Sequence, residues 1–105
     1  MVCTYEKEGR VMNVSFDGDI DHHSCEIMKK ELDYQIQRNA PQKLVFDFKN
    51  VKFMDSSGIG LIIGRYKYLI RIGGIAEIIN VSKEINRILT MSGIFKIMTI
   101  KEGAI

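Results

Sequence analysis

Lys43-Leu44-Val45-Phe46-Asp47-Phe48 leads through Val51-Lys52-Phe53-Met54 into Asp55-Ser56-Ser57-Gly58-Ile59-Gly60, and this stretch decides the fold. Its first six residues are rich in aromatic and branched side chains and read as a strand. Its last six open a helix, because Asp and Ser side chains satisfy the free N–H groups of a first turn. That helix runs to about Ile72 and stops at Gly73-Gly74, after which Ile75 to Val81 (IAEIINV) forms the next strand. Strand, helix and strand make a parallel unit whose crossover should be right-handed.

The same alternation extends in both directions. Upstream, Asp21 begins a helix with Cys25, Met28, Leu32 and Ile36 at helical spacing, charged on its other face by Lys29, Lys30 and Glu31 and ending near Asn39 before Pro41. Ahead of it, Val2 to Lys7 and Arg10 to Phe16 flank Glu8-Gly9 and read as a hairpin. Downstream, Ser82 caps a third helix with Ile85, Ile88 and Leu89 on its apolar face and Gly93 past its end, and Lys96 to Ile100 fits a last strand. The order is ββαβαβαβ, an α/β chain forming one domain over residues 1–105, with a mixed sheet and an N-terminal hairpin. Asp47 and Glu77 interrupt strands that would be continuously apolar if both faces were covered, so the helices are expected mainly on one face.

With 15 Lys+Arg against 13 Asp+Glu, the net charge of +2 is too small to argue for nucleic acid. No apolar run reaches the roughly 18 residues of a membrane span, and the N-terminus lacks a signal pattern, so a soluble, cytoplasmic protein is expected. Cys3 and Cys25 stand in unrelated contexts and are expected as free thiols.

Asp55-Ser56-Ser57-Gly58 supports two readings. Capping uses one polar residue of the three. The other reading is a hydroxyl presented at a positive helix end, suited to accept a phosphoryl group. Gly58-Ile59-Gly60-Leu61-Ile62-Ile63-Gly64 suggests, as an alternative function, a nucleotide-binding turn in a small regulatory domain, but it has one residue too many for G-x-G-x-x-G and no Lys-Ser/Thr pair follows it. Neither serine sits in a nucleophile elbow. Asp19-Ile20-Asp21-His22-His23 has metal-ligating residue types without metal-ligand spacing, so Asp21 reads as an N-cap and the histidines as solvated.

Laid out at 100° per residue, the second helix has a broad stripe of Ile59, Ile62, Ile63, Tyr66, Leu69 and Ile70, expected to face the core. A narrow stripe of Leu61, Arg65, Tyr68 and Ile72 lies opposite. It reads either as ordinary partly packed surface or as a docking row leading away from Ser57.

Gly18-Asp19-Ile20-Asp21-His22-His23, Phe53 to Gly60, Gly64-Arg65-Tyr66-Lys67, Ile72-Gly73-Gly74 and Met91-Ser92-Gly93-Ile94-Phe95-Lys96-Ile97 together resemble, in order and across nearly the whole chain, the anti-sigma factor antagonist family of the STAS domain, nearest its sporulation members. The resemblance implies a STAS fold and a regulatory protein with no catalytic activity, metal or cofactor. In the unphosphorylated state it would bind an anti-sigma factor that is also a serine kinase, releasing the sigma factor. Phosphorylation would abolish binding and a serine phosphatase would restore it. The family's acceptor position falls on Ser57, its neighbouring acidic position on Asp55, and a further acidic position of the recognition surface on Asp21. The candidate partner-binding residues are therefore Asp21, Asp55, Ser56, Ser57 and Gly58, extended along the helix by Leu61, Arg65 and Tyr68. One departure lies at Lys101 to Ile105, where the family's further C-terminal helix has no counterpart.

Overall fold

Five strands and three helices alternate in the computed structural model, which describes residues 2–96 and 99–100. Strands β1 (Val2–Glu8) and β2 (Val11–Asp17) form the hairpin. Its two-residue loop is Gly9-Arg10, one position later than the sequence suggested, with Gly9 at φ +61°. A residue with positive φ at the first loop position matches the twist of the flanking strands, and glycine adopts it without steric cost. Helix α1 (His22–Asn39), strand β3 (Lys43–Asn50), helix α2 (Ser56–Arg71), strand β4 (Ile75–Ile79) and helix α3 (Lys83–Ser92) follow. Ile94–Lys96 is a 3-10 turn and not the start of the last strand, which is β5 (Thr99–Ile100). Residues 101–105, where the C-terminal departure falls, lie outside the described residues.

The sheet order is β1-β2-β3-β4-β5, antiparallel in the hairpin and parallel thereafter. Each new parallel strand is added on the same side of its predecessor, so right-handed crossovers carry all three helices over one face. Burial follows that rule. On the covered face Met12, Leu44 and Ala76 lie in register, as do Val14, Phe46 and Ile78, and all six are buried with Phe16 and Phe48. Cys25, Met28, Leu32 and Ile36 of α1 and Ile85 and Leu89 of α3 close over them.

The opposite face carries Asn13, Ser15, Asp47 and Glu77, all half-buried. Their polarity is matched locally. Lys43 Nζ lies 2.9 Å from Glu77 Oε1, and Asn80 Nδ2 donates to Asp47 Oδ1 at 2.9 Å. The two mid-strand acids thus mark the uncovered face, as expected from their positions. No helix among the described residues is long and apolar enough to cross a membrane.

Helix α2 ends in a double-glycine cap. Gly73 N–H donates to Ile70 O and Gly74 N–H to Leu69 O, and Gly73 takes φ +85°. A Cβ on Gly74 would meet Pro41 O at 3.0 Å, so this glycine also lets the chain enter β4 beside the end of α1.

Candidate functional site

The C-terminal ends of β2 and β3 bring two helix starts together. Beyond the strands the chains stay paired through an isolated parallel bridge between Ile20 and Met54. Ile20 N–H donates to Phe53 O at 2.9 Å and Asp55 N–H to Ile20 O at 3.2 Å. Gly58 completes the junction. A Cβ there would lie 2.7 Å from Met54 Cγ and 2.8 Å from Ile20 Cγ2, so only glycine lets the first turn of α2 settle on these buried side chains. Gly58 is thus buried beneath the surface and not displayed on it.

Both helices are capped by aspartate. Asp21 accepts from Ser24 N–H at 2.9 Å, while Ser24 Oγ accepts from Asp21 N–H at 3.1 Å, a reciprocal capping box. The Ser24 backbone N–H, and after it the Ser24 side chain beside the carboxylate, hold the Asp21 carboxyl below its ordinary value. Asp55 serves both helices. Its Oδ1 accepts from Ser57 N–H at 2.9 Å and Gly58 N–H at 3.3 Å, and its Oδ2 from His22 N–H at 3.1 Å. One carboxylate therefore ties the start of α1 to the start of α2. The cap on α2 is Asp55, which leaves the hydroxyls of Ser56 and Ser57 free of that task.

Ser56 is exposed and Ser57 half-buried. Ser57 Oγ lies 3.3 Å from Nδ1 of His22, at the head of a groove of about 350 Å³ between α1 and α2. Cys25, Lys29, Gly60, Gly64 and Arg65 help to line it. Burial, then the carboxylates of Asp55 and Asp21, push the Cys25 thiol up from its usual value, so it is a neutral wall of the groove. Both cysteines are free. Two helix N-termini meet at this end; their positive ends favour an anion, and the capping carboxylates of Asp21 and Asp55 oppose a further one.

Other sequence expectations are corrected here. The Gly58–Gly64 segment is not a turn but lies wholly within α2, so it offers no loop to wrap a nucleotide phosphate. The narrow stripe of α2 is not a surface row either, because α1 packs along it. Leu61 is only 5% exposed, and Arg65, with 12% of its side chain exposed, has Nε 3.0 Å from Asp33 Oδ1 of α1. That contact is an ion pair without hydrogen-bond alignment, and Arg65 donates instead from Nη1 to Leu61 O. Tyr68 packs partly against the core, with Arg71 5.9 Å over its ring, and Ile72, 45% exposed, is the surface member. Ile70, assigned to the core stripe, is 49% exposed.

Two features near the start of α2 were not anticipated. His22 is exposed, in keeping with its reading as solvated, but its ring also faces Ser57 across 35 residues of chain. Phe53, 51% exposed, stands two residues before Asp55. A large aromatic next to a polar Asp-Ser-Ser turn was the available signal for it, whereas no periodicity reports the His22 contact. Among the described residues, no three His, Cys, Asp or Glu side chains come together as metal ligands.

Comparison with known proteins is consistent with this geometry. The STAS domain model matches residues 3–103. An anti-sigma F factor antagonist of Paenibacillus polymyxa is 40% identical over 95 residues, spanning 90% of this chain and 81% of that protein. The solved anti-sigma factor antagonist SpoIIAA in its unphosphorylated form superposes with a TM-score of 0.82 at 26% identity, covering 97% of this chain and 90% of that one. The phosphorylated form of the Bacillus cell fate determinant SpoIIAA gives 0.74 at the same identity, covering 97% and 93%.

Proposed function

The chain belongs to the STAS domain family, among its anti-sigma factor antagonists, and on that premise we propose that it is a phosphorylation-switched binding protein of the cytoplasm, acting in sporulation. Unphosphorylated, it binds an anti-sigma factor that is also a serine kinase and so releases the sigma factor. The kinase then phosphorylates Ser57, binding is lost, and a serine phosphatase restores it. The chain itself performs no catalysis and holds no cofactor.

One observation carries the reading. Asp55 alone supplies the cap of α2, so the Ser57 hydroxyl at the second position of that helix is spared from capping. A residue whose hydroxyl the fold does not need for its cap can be modified without dismantling the helix start. The existence of a phosphorylated form of SpoIIAA supports the same chemistry.

The physical switch follows from charge. Phosphorylation adds about −1.5 to −2 charges, enough to bring a chain of net +2 close to neutrality. The two helix starts favour the added dianion and Asp55 opposes it, so the free fold changes little in stability. A partner docked over Ser57 must instead strip water from that dianion. An unpaired buried charge costs several kcal/mol, or a hundredfold or more in affinity, on the order expected for such burial.

The docking surface in this reading centres on Ser56, Ser57, Asp21 and the exposed edge of Asp55. Gly58, Leu61, Arg65 and Tyr68 support it from beneath. Incubating the chain with the anti-sigma F factor of Paenibacillus polymyxa and Mg-ATP should add about 80 Da, one phosphoryl group, mapped to Ser57. Ser57→Ala should abolish the gain and retain binding. Phosphate mapped to Ser56 would overturn the assignment.

A further inference from the structure

Ser57 is held by more than its own helix. Nδ1 of His22 lies 3.3 Å from Ser57 Oγ, and both backbones are fixed by one carboxylate, since Asp55 Oδ2 accepts from His22 N–H and Oδ1 from Ser57 N–H. Carboxylate, histidine and serine therefore close a small ring of hydrogen bonds. His23, one residue on, lines a separate cavity with Cys3 and Glu31. No side-chain hydrogen bond among the described residues orients Ser56, although it is the more exposed of the two serines.

Building on the reading of Ser57 as phosphoacceptor, we propose that His22 is the positioning residue for that reaction, donating Nδ1–H to Ser57 Oγ and so directing phosphoryl transfer to Ser57 in preference to Ser56. The accounting at oxygen supports this role. A serine hydroxyl has one proton and two lone pairs. His22 occupies one lone pair from the groove side, which leaves the other lone pair and the proton facing outward. The outward lone pair attacks the terminal phosphorus of a nucleoside triphosphate held by the kinase. The Oγ–P bond forms as the bond to the departing nucleoside diphosphate breaks, and the hydroxyl proton passes to a general base of the kinase. Unrestrained, the hydroxyl samples several rotamers, only some of which aim a lone pair at phosphorus.

The test uses the full chain with the anti-sigma F factor of Paenibacillus polymyxa as kinase and Mg-ATP. His22→Ala should lower kcat for transfer by about tenfold or more while KM stays within about twofold, and should raise the share of phosphate found on Ser56. His22→Asn sets an amide N–H where Nδ1 stood and should recover most of the rate. In the unmodified chain, at a pH where the ring is neutral, the ¹⁵N spectrum of His22 should place the proton on Nδ1. An Ala variant with unchanged kcat, an Asn variant as slow as Ala, or a proton on Nε2 with Nδ1 bare would each overturn the role of His22 alone. A wild-type chain phosphorylated elsewhere than Ser57 would overturn the reading on which it rests.

Discussion

Gly58 and Gly60 are two residues apart on α2 and should respond oppositely to the same substitution. At Gly58 a new Cβ would sit 2.7 Å from Met54 Cγ, 2.8 Å from Ile20 Cγ2 and 3.1 Å from Ile20 O, and Ile20 and Met54 are both buried. Neither Met54 Cγ nor Ile20 Cγ2 is the free end of a flexible chain, and Ile20 O accepts Asp55 N–H and cannot move without loosening the junction of the two helix starts. Overpacking of this kind costs about 1–3 kcal/mol, partly offset by the roughly 1 kcal/mol that alanine gains over glycine in a helix. At Gly60 nothing lies within 4 Å of the added carbon, so only the gain remains. The net cost at Gly58 is therefore up to about 2 kcal/mol, and since 1 kcal/mol corresponds to about 4–8 °C for a domain near this size, Gly58→Ala should melt up to about 16 °C lower, and Gly60→Ala about 4–8 °C higher, than the parent. Differential scanning calorimetry of the three proteins decides it. A Gly58→Ala protein as stable as Gly60→Ala would refute the close approach of α2 to the Ile20–Met54 bridge.

The other predictions concern the two helices that meet at Ser57. Leu61→Ala should behave as a core truncation, costing about 2–5 kcal/mol and lowering the melting temperature, while the folded fraction binds the anti-sigma factor with unchanged affinity. Lost affinity at constant melting temperature would return Leu61 to the docking surface. The folded chain holds the Asp21 proton more weakly than the unfolded chain, because Ser24 lowers its carboxyl below 3.8. Its contribution is therefore complete above that value and lost as pH falls through the lower folded one. In urea titrations, the stability difference between the parent and Asp21→Asn should be constant above about pH 5 and shrink in more acid solution. A difference that persists unchanged at about pH 2 would contradict the capping box.

Much of the fold was legible because its signals are local. Cys25, Met28, Leu32 and Ile36 repeat at helical spacing and all four are buried. Asp47 and Glu77 broke the apolar runs and marked the open sheet face. The hairpin loop was displaced by one residue because a positive φ was required of Gly9 at the first loop position, which composition alone does not specify. Helix α2 misled for a different reason. It packs against the sheet below and α1 beside it, so its buried arc extends to Leu61 and Arg65, while Ile70 at the far edge of the apolar stripe remains outside. Periodicity reports one averaged direction and does not resolve two neighbours. At the site, Asp21 was recognisable as a cap and one of Asp55, Ser56 and Ser57 as another, but the pairing of Ile20 with Met54 was not. That pairing makes Asp55 a shared cap and brings His22 to Ser57.

The most direct test of the switch is to titrate the anti-sigma factor with the unphosphorylated and the Ser57-phosphorylated chain, and to record the thermal melt of each form. Opposing effects of the two helix starts and Asp55 on the phosphate predict melting temperatures within about 4 °C of one another, with affinity reduced about a hundredfold or more. Equal affinities would contradict the switch. A melting drop above about 10 °C, with affinity falling in step with the unfolded fraction, would show that the phosphate acts on the fold and not on the interface.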